Sequence, residues 1–431
     1  MTALALDESP PLHAPLRFFA TAPVWGAGAG LLMTLRAELV TASRWSPETF
    51  ALVHVLALGF MLQVMAGALL QLLPVAVGSA VPRVRLLALV SHAGLNAGTL
   101  LLVAAFLGAG PTWFAAAGAV LLATLAAYLG AVGLSLARAR AIGPTLPALR
   151  IAAVALGATV ALGFTLALGL GQIWSVPIVE LVHLHAAWGL LGFALCLVAG
   201  VAYVVVPMFQ LTPAYPVPVA RALPLALLAG LGLWSAGVPL GFRPVAAVGA
   251  AVLATATVAF AAQTLLLQAS SKRRGRDTTA WCWRLGLCCL LLAVASASWL
   301  YLGCPPALRA PLEYLTGVFS LAGAFPALIS GMLYKIVPFL VWLHLSRRGP
   351  GAPLMHQVIG EPGPRAEVVT HAAAVVLLAA GVASPLLAAS GGALFAASKV
   401  VLGLNLAVAM SVYRDARAGM REVRPDPPGS P

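Results

Sequence analysis

The feature that limits this chain most is a succession of apolar stretches, each long enough to cross a bilayer as a helix. Such a crossing takes ~20 residues at 1.5 Å per residue. In hydrocarbon every backbone N–H and C=O must be bonded internally, which only helices and closed barrels achieve. Twelve stretches qualify, at about 17–40, 48–78, 84–109, 112–137, 148–172, 177–209, 219–241, 244–270, 279–303, 312–345, 366–389 and 391–413. They predict an all-α membrane protein of about 12 transmembrane helices. Only 9% of the residues are charged, far below the ~25% with which a soluble domain meets water. One transmembrane domain, 17–413, is therefore expected between a short N-terminal segment, 1–16, and a basic, Pro-rich tail, 414–431.

The net charge of +13 invites a nucleic-acid reading, and its distribution answers it. If the helices alternate across the membrane, Arg36, Arg44, Arg243 and Arg309 fall on one side. Lys335 and Lys399 fall within spans, which leaves 19 of the 25 basic residues on the other side. That asymmetry is the positive-inside bias, so the charge reports topology. The partner is the lipid bilayer, not nucleic acid, and both termini are expected in the cytoplasm. The five cysteines form no CxxC pair and sit in or beside apolar spans, as small hydrophobes do.

Three spans share one pattern. Gly59, Gly67 and Pro74 recur as Gly192, Gly200 and Pro207, and again as Gly323, Gly331 and Pro338. Glycine to glycine is eight residues and glycine to proline seven in each copy, and the copies are offset by 133 and 131 residues. A fixed long period marks a repeated structural unit. The expectation is a threefold pseudo-repeat of four-helix units, with the second, sixth and tenth helices equivalent.

Five histidines lie within spans: His54, His92, His183, His185 and His371. An ionisable group in hydrocarbon is costly, so each is expected to face the bundle interior or a cofactor. In repeat register His54, His183 and His185 fall at one depth, toward the side away from the cytoplasm. Residues two apart on a helix point ~200° from each other, so His183 and His185 cannot serve one ion from one face. Neutral imidazoles on facing helices suit a haem iron or copper. His92 and His371 lie deeper toward the cytoplasm and suit structural hydrogen bonding, a second site or a proton path. Lys335, three residues before Pro338, and Glu180, one turn before His183, are further candidates for proton passage or for orienting a ligand.

The span count, the repeat and the histidine placement resemble the haem-copper oxidase subunit I superfamily, particularly cbb-type oxidase and nitric oxide reductase large subunits and NnrS-type membrane proteins. Arg17-Phe18-Phe19 with His54 … Gly59-Phe60 … Gly67 … Pro74 is similar to the NnrS opening. His183-Leu-His185 … Gly192-Phe193 … Gly200 … Pro207 is similar to the oxidase helix whose His-x-His ligates two haems, although that helix is the tenth there and its spacing differs by two residues. The seventh span, 219–241, lacks the His-His pair of the oxidases, and the tenth reads Leu315-Thr316-Gly317-Val318-Phe319 where His-x-His would stand. The resemblance therefore implies no complete binuclear centre. It implies one haem b between His54 and His183 or His185, with the remaining histidine open to a second haem or copper. It further implies a redox partner, a cytochrome or quinol, and a place in the bacterial inner membrane. If the chain is an enzyme, it is expected to be a haem-dependent oxidoreductase acting on a small redox molecule such as nitric oxide. The alternative is a transporter or channel that keeps the scaffold without a redox cofactor. No Walker loop, dinucleotide fingerprint or nucleophile motif is present.

Overall fold

The structure, a computed structural model, describes residues 9–273 and 277–423. Residues 1–8 of the expected N-terminal segment, 274–276 of the basic loop and 424–431 of the tail lie outside the described residues. The long helices are α1 (His13–Leu35), α2 (Pro47–Val77), α3 (Val84–Ala109), α4 (Pro111–Arg138), α5 (Thr145–Leu170), α6 (Ile178–Gln210), α7 (Val217–Gly237), α8 (Arg243–Ala269), α9 (Thr278–Leu302), α10 (Pro306–Ser346), α11 (Pro362–Ala380) and α12 (Pro385–Val423). All but α11 are long and apolar enough to span a bilayer, which makes eleven among the described residues. The chain is thus an all-α, multi-pass membrane protein. Arg365, Glu367, Thr370 and His371 make α11 less apolar than the rest.

Burial separates two classes of helix. The most apolar windows of α2, α6 and α10 are 67%, 72% and 78% buried, against 33–44% for the other eight spans. Packing contacts run α1–α3–α4–α5–α7–α8–α9–α11–α12 and back to α1, so these helices close a ring around α2, α6 and α10. Large apolar side chains such as Leu86, Val154, Leu225, Leu292 and Val376 are exposed on the ring, as a lipid-facing surface requires.

The three inner helices are the ones that carry the Gly/Gly/Pro pattern. Gly59 and Gly67 face Trp25 and Phe18 of α1, Gly192 and Gly200 face Ala155 and Ala148 of α5, and Gly323 and Gly331 face Cys289 and Cys282 of α9. Each inner helix also has a π-helical segment, Val55–Leu62, Trp188–Leu195 and Val318–Ala324, that contains its first glycine. A proline removes one intrahelical bond. Three residues past its proline, α2 ends at Val77 with Gly78 in the left-handed region at φ 64°, and α6 likewise ends at Gln210 with Leu211 at φ 53°. Beyond Pro338, α10 continues to Ser346.

Two expectations need correcting. The spans 366–389 and 391–413 divide elsewhere, at Gly381–Ser384, and the second helix runs on to Val423. Gly391 and Gly392 do not break the chain because they serve close packing: Gly391 lies on Leu378 of α11, and Gly392 on Gly30 and Thr34 of α1. Of the cysteines, Cys196, Cys282 and Cys289 are buried, whereas Cys288 is exposed on the ring and Cys304 is half-buried.

Candidate functional site

Two histidines meet where α2 and α6 approach. Ser46 accepts the Thr49 N–H (3.2 Å) and Pro47 opens the helix, which fixes the start of α2 two turns before His54. The His54 Nδ1–H donates to the Phe50 carbonyl at 2.7 Å. From α6, the His185 Nδ1–H donates to the Thr159 carbonyl of α5 at 3.0 Å. Gly163 makes that reach possible, because a Cβ there would stand 2.9 Å from His185 Cε1. With both Nδ1 atoms committed to carbonyls, each neutral ring keeps its lone pair at Nε2. Among the described residues neither Nε2 has a hydrogen-bond partner.

The ring centroids of His54 and His185 are 6.2 Å apart and the rings are inclined by 23°. His54 and His185 are the residues that would hold a metal ion here, each through its free Nε2. Both rings line a cavity of about 270 Å³ with apolar walls that include Met61, Met65, Leu102, Phe106 and Leu166. Phe106 stacks on His54 at 5.3 Å. Apolar walls and two imidazoles are what a haem macrocycle needs.

His183 is not part of this pair. Its Nε2 accepts from Arg44 Nη2 at 2.9 Å, and Arg44 lies 3.4 Å from Glu313, which Arg309 also approaches at 3.4 Å. Glu180 is exposed. A second apolar cavity, about 290 Å³, has Arg44, Glu313, Thr316 and Ser320 on its polar edge and shares Phe50, Val53 and Leu190 with the first. His92 Nε2 donates to Thr21 Oγ1 at 2.8 Å, whose own proton goes to the Arg17 carbonyl, a local clasp between α3 and α1. Lys335 pairs with Asp277 at 3.4 Å. No group of three or more His, Cys, Asp or Glu able to hold a metal occurs among the described residues.

His371 belongs to a cluster that spacing alone does not disclose. Lys399 Nζ of α12 donates to Glu367 Oε1 (2.6 Å), His371 Nδ1 (2.8 Å) and Ser330 Oγ (3.2 Å). Ser330 donates to Glu367 Oε1 at 3.1 Å, and the His371 Nε2–H to the Ala322 carbonyl in the π-helical segment of α10 at 2.9 Å. Lys399, Glu367, His371 and Ser330 are at most 1% exposed, and Phe60 and Phe395 flank the ammonium at 5.6 and 5.4 Å. The signals available in the sequence were a lysine inside an apolar span and Glu367 one turn before His371. Gly163 and Thr159 had none.

A scan against protein-family models gave no match to this chain, and a search of curated proteins gave none either.

Proposed function

We propose that this chain is a haem-binding protein of the bacterial inner membrane, built as three four-helix units on the pattern of haem-copper oxidase subunit I. It passes electrons, or handles a small redox molecule such as nitric oxide, with a cytochrome or quinol as redox partner. The observation that carries this reading is the pair His54–His185, with centroids 6.2 Å apart and both Nδ1 atoms held by carbonyls. When bound, haem b would supply one-electron redox chemistry tuned by the residues that hold it and their hydrogen bonds. Within the protein, His54 and His185 would hold the iron, the Phe50 and Thr159 carbonyls fix the ring orientations, and the apolar side chains of the cavity keep water out. Arg44 engages the Nε2 of His183, so that histidine serves the polar network at its end of the bundle in this reading. The three glycine-bearing inner helices, their three π-helical segments and the closed outer ring support the repeat. The distribution of Arg and Lys supports cytoplasmic termini and the multi-pass orientation.

The test is an absorption spectrum of protein purified from haem-replete cells. A Soret band with a bis-histidine signature is expected. His54→Ala and His185→Ala should each remove that signature, and His183→Ala should retain it. Folded protein without a Soret band would sink the reading. The second reading, a transporter without redox cofactor, draws on the buried Lys399 cluster. Substrate uptake by haem-free protein in proteoliposomes would favour it.

A further inference from the structure

We propose that α10, α11 and α12 carry a proton route across the membrane, with the buried Lys399–Glu367–His371 trio as its central relay. The trio contains none of the residues of the haem pocket, although the cavity beyond it shares Phe50, Val53 and Leu190 with that pocket.

Its first support is a row of polar side chains along α10: Glu313, Thr316, Ser320, Ser330 and Tyr334. From Glu313 to Tyr334 is 21 residues, and at ~1.5 Å each they cover about 30 Å, the thickness of the hydrocarbon core. Each has a polar partner. At the end marked by Arg347 and Arg348, Lys335 pairs with Asp277, and Asn405 donates to Tyr334 Oη at 3.0 Å. One turn further along α10, Ser330 joins the trio. Beyond Ala322, which accepts from His371, opens the second cavity, with Ser320 and Thr316 on its wall and Glu313 and Arg44 at its far end. A cavity of about 290 Å³ with several polar groups has room and partners for water.

The second support is what the trio contains. Three bases of different kinds are joined by hydrogen bonds of 2.6 and 2.8 Å through one ammonium. Lys399 can pass a proton along its existing bond to His371 Nδ1, leaving a neutral amine and an imidazolium. The imidazolium releases its Nε2 proton on the Ala322 side, toward the cavity. A proton taken up by Glu367 from the Tyr334 side then restores the ammonium, and a shift of the ring proton from Nδ1 to Nε2 through water in the cavity restores the starting tautomer. The sum is one proton moved and no net change in the charge of the trio. A purely structural ion pair needs neither the third base nor the adjoining cavity. Ionisable groups at such depth are expected to serve ion or proton passage. The other titratable neighbours are Tyr334 on α10 and Cys282 on α9.

The experiment uses the full chain in potassium-loaded liposomes with an internal pH dye, and valinomycin to impose a potential. Wild-type vesicles should acidify faster than protein-free ones. Glu367→Gln should slow this by about a hundredfold, the scale on which loss of a positioned proton carrier is felt. Glu367→Gln/Lys399→Met, which removes both charges together, provides the same test if the single variant does not fold. Its absorption spectrum should match that of the wild type. Wild-type flux no greater than that of protein-free vesicles overturns the proposal, and so does undiminished flux through the folded double variant.

Discussion

Replacing Lys399 by Met removes one charge from a site closed to outside solvent. Lys399 and Glu367 are 0% and 1% exposed and 2.6 Å apart. At an effective dielectric of ~20, charges at that separation attract by about 6 kcal/mol. The desolvation cost is several kcal/mol per ion, so the intact pair contributes little net stability. Removing only the lysine leaves a buried carboxylate with the Ser330 hydroxyl and, at 3.7 Å, the neutral His371 ring beside it but no compensating charge, and breaking such a pair costs about 3–5 kcal/mol. Lys399→Met is therefore expected to destabilise the protein by that amount. Lys399→Met/Glu367→Gln should recover most of the loss, giving a coupling energy of at least ~2 kcal/mol. The measurement is a double-mutant cycle from reversible unfolding in mixed micelles titrated with SDS. A coupling energy below about 0.5 kcal/mol, within the additivity expected of independent sites, would refute the claim that the two charges compensate one another. So would a single variant as stable as the wild type.

Further outcomes are expected elsewhere in the bundle. Gly163→Leu would push its side chain into His185, whose Cε1 is 2.9 Å from where a Cβ would lie; haem content should fall sharply while helicity stays unchanged, as read by the Soret-to-protein absorbance ratio and circular dichroism. Gly30→Leu would drive a side chain into the α12 backbone at Gly392 and Ala396 and should cost about 1–3 kcal/mol, measured by the same SDS titration. A single cysteine placed beside Arg309, in a background without the native cysteines, should react with an impermeant thiol reagent from the periplasmic side. One placed beside Arg347 should be shielded until the membrane is opened, and the opposite pattern would reverse the assigned orientation.

Much of the architecture was legible in the sequence because membrane helices announce themselves by length and apolarity. The glycine-proline spacing singled out α2, α6 and α10, which proved to be the most buried spans. The opposed directions of His183 and His185 also followed from helical geometry. Which of the two meets His54 did not, because the answer depends on Arg44, 139 residues before His183. The α11–α12 boundary, expected at residue 390, falls at Gly381–Ser384, and Gly391 and Gly392 lie inside α12 against Leu378 of α11 and Gly30 and Thr34 of α1, contacts that no local pattern encodes. Glu367 and Lys399 pair across two helices 32 residues apart, a register that no local pattern encodes.

The π-helical segments of the three inner helices set two halves of each helix at different tasks. Toward one end, glycines grip the neighbouring helix at backbone distance. Toward the other, His54, His185 and Thr316 stand just before the widened turn. Each residue of an α-helix turns the chain by ~100°, so deleting one residue from such a segment would swing everything before it by more than a quarter turn and leave the gripped half untouched. The direction in which His54 or His185 points is thereby separable from the packing that holds its helix upright. A scaffold with that property can change the side chain that one inner helix presents before its widened turn without rebuilding the bundle.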